Sequence, residues 1–442
     1  MRKQIRRELA VAYEAISGLI PYKGNPRTHS KQQLRQIARS IQELGFCNPV
    51  LIDKNNTIIA GHGRVDAAKL LGMERVPTIR LENLSPDQVR LLVLADNKLA
   101  LNAGWDANLL AIELQHLLTL ENDFDITLTG FEIPEIDLIL EEAANPSDED
   151  DVLDPERAGP SITQSGDLWL LGKHCVLCGN ALNEKPFESL MGTRKADIVF
   201  VDPPYNLVID GNVSGKGMVR HGDFAMASGE MSDAEFVSFL TTSLGLLARF
   251  SSSGSVHFVA MDWRHMGDLL TVGKEVYDVL LNLCVWAKDN GGQGSFYRSQ
   301  HELIFVFRNG KGKYRNNIQL GQYGRYRTNV WQYPGANTLS RQGDEGNLLA
   351  LHPTAKPVAL VADAILDCSA RGDLVLDSFL GSGTTLIAAE RVGRICHGIE
   401  IDPHYVDVAI KRWQRHTGND AVHAITGKRF DEVAAEAEVT CG

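Results

Sequence analysis

Five short apolar runs, Asp197–Val201, Ser255–Ala260, Asn282–Ala287, Leu303–Arg308 and Leu374–Ser378, constrain the fold of this chain more than any other feature. Each is continuous rather than alternating, which marks a strand buried on both faces. Helical patterns lie between them, so this part of the chain predicts an α/β domain: a doubly wound, mostly parallel Rossmann-like sheet with helices on both sides. Upstream, the runs Pro49–Ile52 and Thr57–Ala60 alternate with helical patterns at Lys31–Leu44 and Arg64–Leu71. They predict a small α/β unit followed by a helical tail to about Leu140.

Between the two parts, Glu141–Arg157 holds eight acidic residues, one basic residue and two prolines, the composition of a solvated linker. The expected domains are therefore 8–140 and 161–430, joined by a linker over 141–160. Lys plus Arg number 44 against 56 Asp plus Glu, a formal charge of -12, so a nucleic-acid partner has to meet a local basic surface. Seven scattered cysteines make no disulfide framework, and a reducing cytoplasm is expected. No window approaches the roughly 18 apolar residues of a spanning helix, so no membrane partner is expected.

The sharpest local signal is Asp202-Pro203-Pro204-Tyr205, placed directly after the run Ile198–Val201 and so at the carboxyl end of a strand, where ligand crevices of open α/β sheets lie. Two prolines remove two backbone donors, and the acid beside them makes a cluster rich in acceptors. Such a cluster suits an exocyclic amino group on a nucleobase, with Tyr205 as a flat stacking partner. An Asp-Pro turn with a core tyrosine is the plain structural alternative.

A second strand, Leu374–Asp377, runs into Ser378-Phe379-Leu380-Gly381-Ser382-Gly383-Thr384-Thr385 and then a helix. Glycines let a ligand approach the backbone, and the helix start offers unpaired N–H groups. The turn lacks both the full dinucleotide glycine pattern and a phosphate-loop lysine. About twenty residues further on, Glu400 and Asp402 end the next strand, where a carboxylate can accept from ribose hydroxyls.

These residues together resemble amino-directed DNA methyltransferases of the β group, in which the catalytic motif precedes the cofactor loop. Asp202–Tyr205 matches the catalytic tetrapeptide in its adenine-N6 form. The run from Asp377 matches the cofactor loop, with Ser378 in place of a proline. His352-Pro353-Thr354-Ala355-Lys356-Pro357 resembles a further cofactor motif, and Cys178-Gly179-Asn180-Ala181 departs from the family's acid at Asn180. The resemblance covers roughly Gly166 to Trp413. It implies Asp202, Pro203, Pro204 and Tyr205 as catalytic, with S-adenosyl-L-methionine held by Asn180, Asp202, Thr354, Lys356, Asp377, Phe379, Gly381, Gly383, Thr384 and Glu400. It further implies a flipped-out adenine in double-stranded DNA. Cytosine N4 is the alternative target, and a DNA-binding protein with an inactive methylase half is the alternative of another class. No metal is implied: Cys175 and Cys178 beside His174 lack a second pair at ligand spacing.

The segment 295–341 carries eight basic residues against the single acid Glu302, interleaved with aromatics, and is the expected target-recognition insertion. Arg298, Lys313, Arg315, Arg325 and Arg327 are its candidate DNA contacts, set against a solvated basic face over a core strand. The Gly-rich stretch Asn206–Ser232 is expected to order on DNA. In the N-terminal unit, Asn25-Pro26-Arg27 and Ile59–Gly72 resemble the ParB/sulfiredoxin-like fold, which implies phosphate of a nucleotide at Gly61, His62, Gly63 and Arg64. Ala95-Asp96-Asn97-Lys98 resembles that family's second phosphate segment. A structural adaptor role for this unit is the alternative, and a homodimer is the assembly considered.

Overall fold

The computed structural model describes residues 9–119, 125–143, 161–206, 229–289, 291, 296–321, 325–335 and 356–441. The chain divides into two compact units, Met1–Ala143 and Ala144–Gly442. Most of the expected linker lies outside the described residues, and the last helix before it, Ile133–Ala143, runs slightly past the expected boundary. Among the described residues no helix is long and apolar enough to cross a membrane.

The first unit contains β1 (Val11–Ala15), β2 (Val50–Asp53), β3 (Ile58–Ala60) and β4 (Arg75–Leu81), ordered β1-β4-β2-β3. Helix Lys31–Leu44 begins where the Ser30 hydroxyl accepts from Gln33 N at 3.0 Å, and it ends at Gly45 with φ 83. With helix His62–Leu70 it packs beside the sheet, over a core of Val50, Ile52, Ile58, Val65, Ala68 and Val76. Three helices follow, Pro86–Asn102, Ala107–Thr119 and Ile133–Ala143. The last two close on Leu114, Ile126 and Ile136 as a small core of their own.

The second unit is built on β5 (Leu168–Leu171), β6 (His174–Cys178), β7 (Ala196–Val201), β8 (Ser251–Met261), β9 (Val279–Ala287), β10 (His301–Arg308), β11 (Val330–Gln332), β12 (Leu374–Asp377), β13 (Ile395–Glu400) and β14 (Val422–His423). Their order is β11-β9-β10-β8-β7-β12-β13-β6-β5-β14. The five central strands, β8, β7, β12, β13 and β6, are mutually parallel, while β10 runs antiparallel to both β8 and β9.

Alternate side chains of one strand serve two cores. Ile198 and Phe200 face helices Val358–Cys368, Thr384–Arg391 and Pro403–Thr417, whereas Val199 and Val201 face helices Glu184–Met191, Asp233–Arg249 and Met266–Val276. Burial on both faces is why the strands read as unbroken apolar runs. Each such phenylalanine contributes about 1.5–3 kcal/mol by leaving water.

Three consequences position the site. β7, β12 and β13 are neighbours, so their carboxyl ends lie side by side. Because β10 is reversed, with Leu303 opposite Met261, its amino end with Glu302 comes to that same edge. Ala287 pairs with His301, which brings the end of β9 there as well. The fully buried Phe305 of β10 underlies this arrangement. Phe305→Ala is expected to lower the unfolding free energy by about 3–5 kcal/mol in urea titrations.

Candidate active site

Asp202 and Tyr205 follow β7, and the proline pair holds the chain extended between them. The Tyr205 hydroxyl donates to Asp202 Oδ1 at 2.5 Å and lies 3.1 Å from Glu302 Oε2. Lys356, 4% exposed, sets its ammonium 2.5 Å from Asp202 Oδ2, 2.8 Å from Glu302 Oε2 and 3.0 Å from the Tyr205 hydroxyl. Lys288 Nζ meets the other oxygen of Glu302 at 2.5 Å and lies 4.6 Å from the centre of the Trp286 ring. Two carboxylates thus face two ammoniums at one buried point.

Burial raises the Asp202 carboxyl above the ordinary aspartate range, against the pull of Lys356. Burial works the same way on Glu302, yet Lys356 and Lys288 together outweigh it and hold that group below its usual range. The Lys356 ammonium is also disfavoured by burial, and the two carboxylates nonetheless raise its pKa. Burial and the two acids keep the Tyr205 phenol protonated, so it remains a donor.

At the neighbouring strand ends, Asp377 accepts from Phe379 N at 2.9 Å and from Thr385 Oγ1 at 2.6 Å, which closes the glycine turn on itself. Gly381 and Gly383 have φ 53 and 88, and a Cβ on Gly383 would come within 2.9 Å of Ala409 Cβ. The side chain of Phe379 is half-buried against Phe239, and Thr384 turns inward, its hydroxyl 3.3 Å from Arg412 Nη1. Glu400 accepts from Gly381 N at 2.8 Å and from Asp402 N at 2.9 Å. Burial pushes Asp377 and Glu400 each up to about 7. Gly179 N donates to the Glu400 carbonyl at 2.8 Å, which sets Asn180 beside this edge. The Asn180 side-chain Oδ1 accepts from Leu182 N at 2.8 Å, which leaves its amide hydrogens as donors. Thr354 lies outside the described residues.

Elsewhere, Cys178 is a buried thiol pushed up to about 12, and among the described residues no group of three or more His, Cys, Asp or Glu could hold a metal ion.

In the first unit, Gly61 takes φ 98 at the start of helix His62–Leu70. His62 Nε2 accepts from Tyr22 N at 3.2 Å, so the ring holds the turn, and burial lowers its pKa. A Cβ on Gly63 would meet the His29 ring at 3.0 Å. Arg64 donates from Nη2 to the Pro49 carbonyl at 3.3 Å, while its Nε is buried with no partner. Arg27 Nη1 reaches the Asn97 carbonyl at 3.3 Å, which ties the Asn25–Arg27 segment to the expected second phosphate segment.

Residues 196–411 match the model of a DNA methylase family. This segment belongs to that family. Residues 4–98 match the ParB N-terminal domain and 108–165 a ParB-methyltransferase HTH domain. The N-terminal region is 48% identical over 81 residues to the ParB-like nuclease domain-containing protein YnaK of Escherichia coli (strain K12), covering 18% of this chain and 93% of that protein. The type II methyltransferase M.HinfI of Haemophilus influenzae is 29% identical over 248 residues, 53% of this chain and 66% of its own length. Among solved structures, the M1.HpyAVI–SAM complex is 19% identical, covers 54% of this chain and 98% of its own, and has a TM-score of 0.38.

DNA methylases of this family use S-adenosylmethionine. The turn of the methylase domain fits that group: the Glu400 carboxylate, bonded to the backbone N–H groups of Gly381, Ile401 and Asp402, still has acceptor capacity for a hydroxyl, and the positive-φ glycines leave the backbone uncovered. Lys356, expected at the cofactor together with Asp202, has its ammonium in the Asp202 cluster. Glu302 and Lys288 were not legible as site residues; the usable signal is an acid directly ahead of the apolar run of β10.

The expected DNA contacts need correction. Only Arg298, with the exposed Phe296 and Tyr297, lies near the end of β10 that carries Glu302. Lys313 and Arg315 follow the opposite end of β10. A Cβ on Gly254, near the start of β8, would lie 2.7 Å from the Lys313 carbonyl, and Arg315 Nε is 3.9 Å from Asp373, just before β12. Both therefore sit at the amino ends of the parallel strands, away from Asp202. Arg325 is buried against Asp363 at 2.7 Å and Asp367 at 3.1 Å, and Arg327 pairs with the same acids at 2.7 and 2.9 Å. Their charge is spent inside the protein, clamping the segment before β11 to helix Val358–Cys368. Arg327→Met is expected to cost about 3–5 kcal/mol in chemical denaturation, because two buried acids lose a partner. The salt slope of DNA binding should stay unchanged in the same variant.

Proposed function

We propose that the methylase domain transfers the methyl group of S-adenosylmethionine to the exocyclic N6 of an adenine flipped out of duplex DNA at a specific short sequence. The observation that carries this reading is the juxtaposition, at adjacent strand ends, of the Asp202–Tyr205 acceptor cluster and the glycine turn backed by Glu400. An adenine in the duplex has its amino group engaged in pairing, so it has to leave the stack to be reached. Tyr205 then offers a ring face to the base, and Asp202 accepts an amino hydrogen, drawing it out of the ring plane and localising the nitrogen lone pair. S-adenosylmethionine supplies the methyl group when bound, its sulfur keeping the electron pair of the broken S–C bond as nitrogen forms the new one. The surplus proton on nitrogen leaves toward the Asp202 carboxylate and then to water. Catalysis on this reading rests on positioning and on the charge at Asp202.

Asn180, Asp377, Phe379, Gly381, Gly383, Thr384 and Glu400 form the cofactor side of the proposal, and Arg298 the DNA side. The N-terminal turn belongs to it as a nucleotide phosphate site, supported by the unpartnered Arg64 Nε beside Gly61.

Incubation with tritiated cofactor and unmethylated plasmid DNA, followed by nucleoside digestion and mass spectrometry, tests the target. The label is expected in N6-methyladenine, with Asp202→Ala at least roughly 100-fold slower. Label in N4-methylcytosine would assign the other base, and no label would remove the enzyme reading.

A further inference from the structure

The acid that is to receive the base has partners at both of its oxygens. Asp202 Oδ1 holds the Tyr205 hydroxyl and Oδ2 holds the Lys356 ammonium at 2.5 Å. The same ammonium lies 2.8 Å from Glu302 Oε2, so it is shared between two carboxylates carried by different strands. Glu302 is itself anchored by Lys288. An adenine amino group offers the same kind of donor as the ammonium and is aimed at the same acceptor.

Resting on the adenine reading above, we propose that Lys356 is a positioning residue: it keeps Asp202 ionised and oriented in the free enzyme, then withdraws onto Glu302 as the base amino group takes its place. No proton changes hands in this exchange; one N–H···O contact on Asp202 replaces another, and the ammonium stays paired. The arrangement meets a specific difficulty, since a buried carboxyl without a counter-charge takes up a proton and ceases to be an acceptor at that oxygen. Among the described residues, the groups facing Lys356 are Asp202 and Tyr205 after β7, Glu302 on β10 and Lys288 after β9, with the Trp286 ring centre 5.8 Å away. Asp377 lies at the end of β12, where the Asp202 charge adds to burial in pushing its own carboxyl up to about 7.

The charges give the two partners opposite signs. Lys356 lowers the Asp202 pKa and Glu302 raises it. The experiment is a pH profile of kcat, with KM for S-adenosylmethionine, for the wild type, Lys356→Met, Lys356→Arg and Glu302→Gln, using tritiated cofactor and unmethylated plasmid DNA. Lys356→Met should move the acid limb up by about one pH unit or more, with activity recovering at alkaline pH and KM for the cofactor little changed. Glu302→Gln should move the limb down, and its plateau should fall roughly tenfold because the ammonium has no second carboxylate to receive it. Lys356→Arg should keep the wild-type limb. Shifts of the same sign in both variants, unshifted limbs with reduced kcat, or a raised cofactor KM at unchanged kcat would each overturn the proposal. Should Lys356→Met fail to fold by circular dichroism, the Glu302→Gln and Lys356→Arg profiles decide it. A wild type that labels cytosine would sink the adenine reading and leave the clamp standing if the limbs still move oppositely; a wild type that labels nothing sinks both.

Discussion

A carboxylate held inside a protein has to be matched by positive charge or it gives up its ionisation, and here Lys356 supplies that match to Asp202. The pairing in turn dictates much of the architecture around it. Asp202 hangs from β7, Glu302 from the reversed β10, and Lys288 follows β9, so three strands must meet at one edge in one register for the four charges to cancel. The ammonium arrives from a separate segment, just ahead of helix Val358–Cys368. Shifting β10 by one residue would turn Glu302 to the other face and leave Lys356 with a single partner.

What the amino-acid sequence disclosed follows from what is local. The strands were readable because burial on both faces leaves an unbroken apolar run, as in Ile198–Val201. The tetrapeptide and the glycine turn were readable because each works over a few consecutive residues. Glu302 was not, since its meaning depends on Tyr205, 97 positions away. The basic segment misled for two separate reasons. Counting charge does not reveal burial, and Arg325 and Arg327 are matched by Asp363 and Asp367 inside the fold. Nor does it reveal direction, and an antiparallel β10 carries Lys313 and Arg315 to the far end of the sheet.

The first unit repeats the lesson at smaller scale. Its glycine turn at Gly61 was legible through the family resemblance, and the structure adds that His62 is tied to the backbone of Tyr22. The helical tail carried no motif that the residues alone announced. Its last two helices share the small core of Leu114, Ile126 and Ile136, and the match to an HTH domain gives that core a family.

Directly after the catalytic tetrapeptide, Asn206 adopts φ 51, and its side chain bonds Gly229 N, Met231 N and the Met231 carbonyl at 2.8–3.2 Å. The residues that leave Tyr205 and those that return to helix Asp233–Arg249 are thereby stapled together, whatever runs between them. Because closing a longer connection adds little entropy once its ends are fixed, that interval can lengthen, shorten or change composition without disturbing the acid next to it. The length and composition of that interval are thereby uncoupled from the position of the catalytic acid.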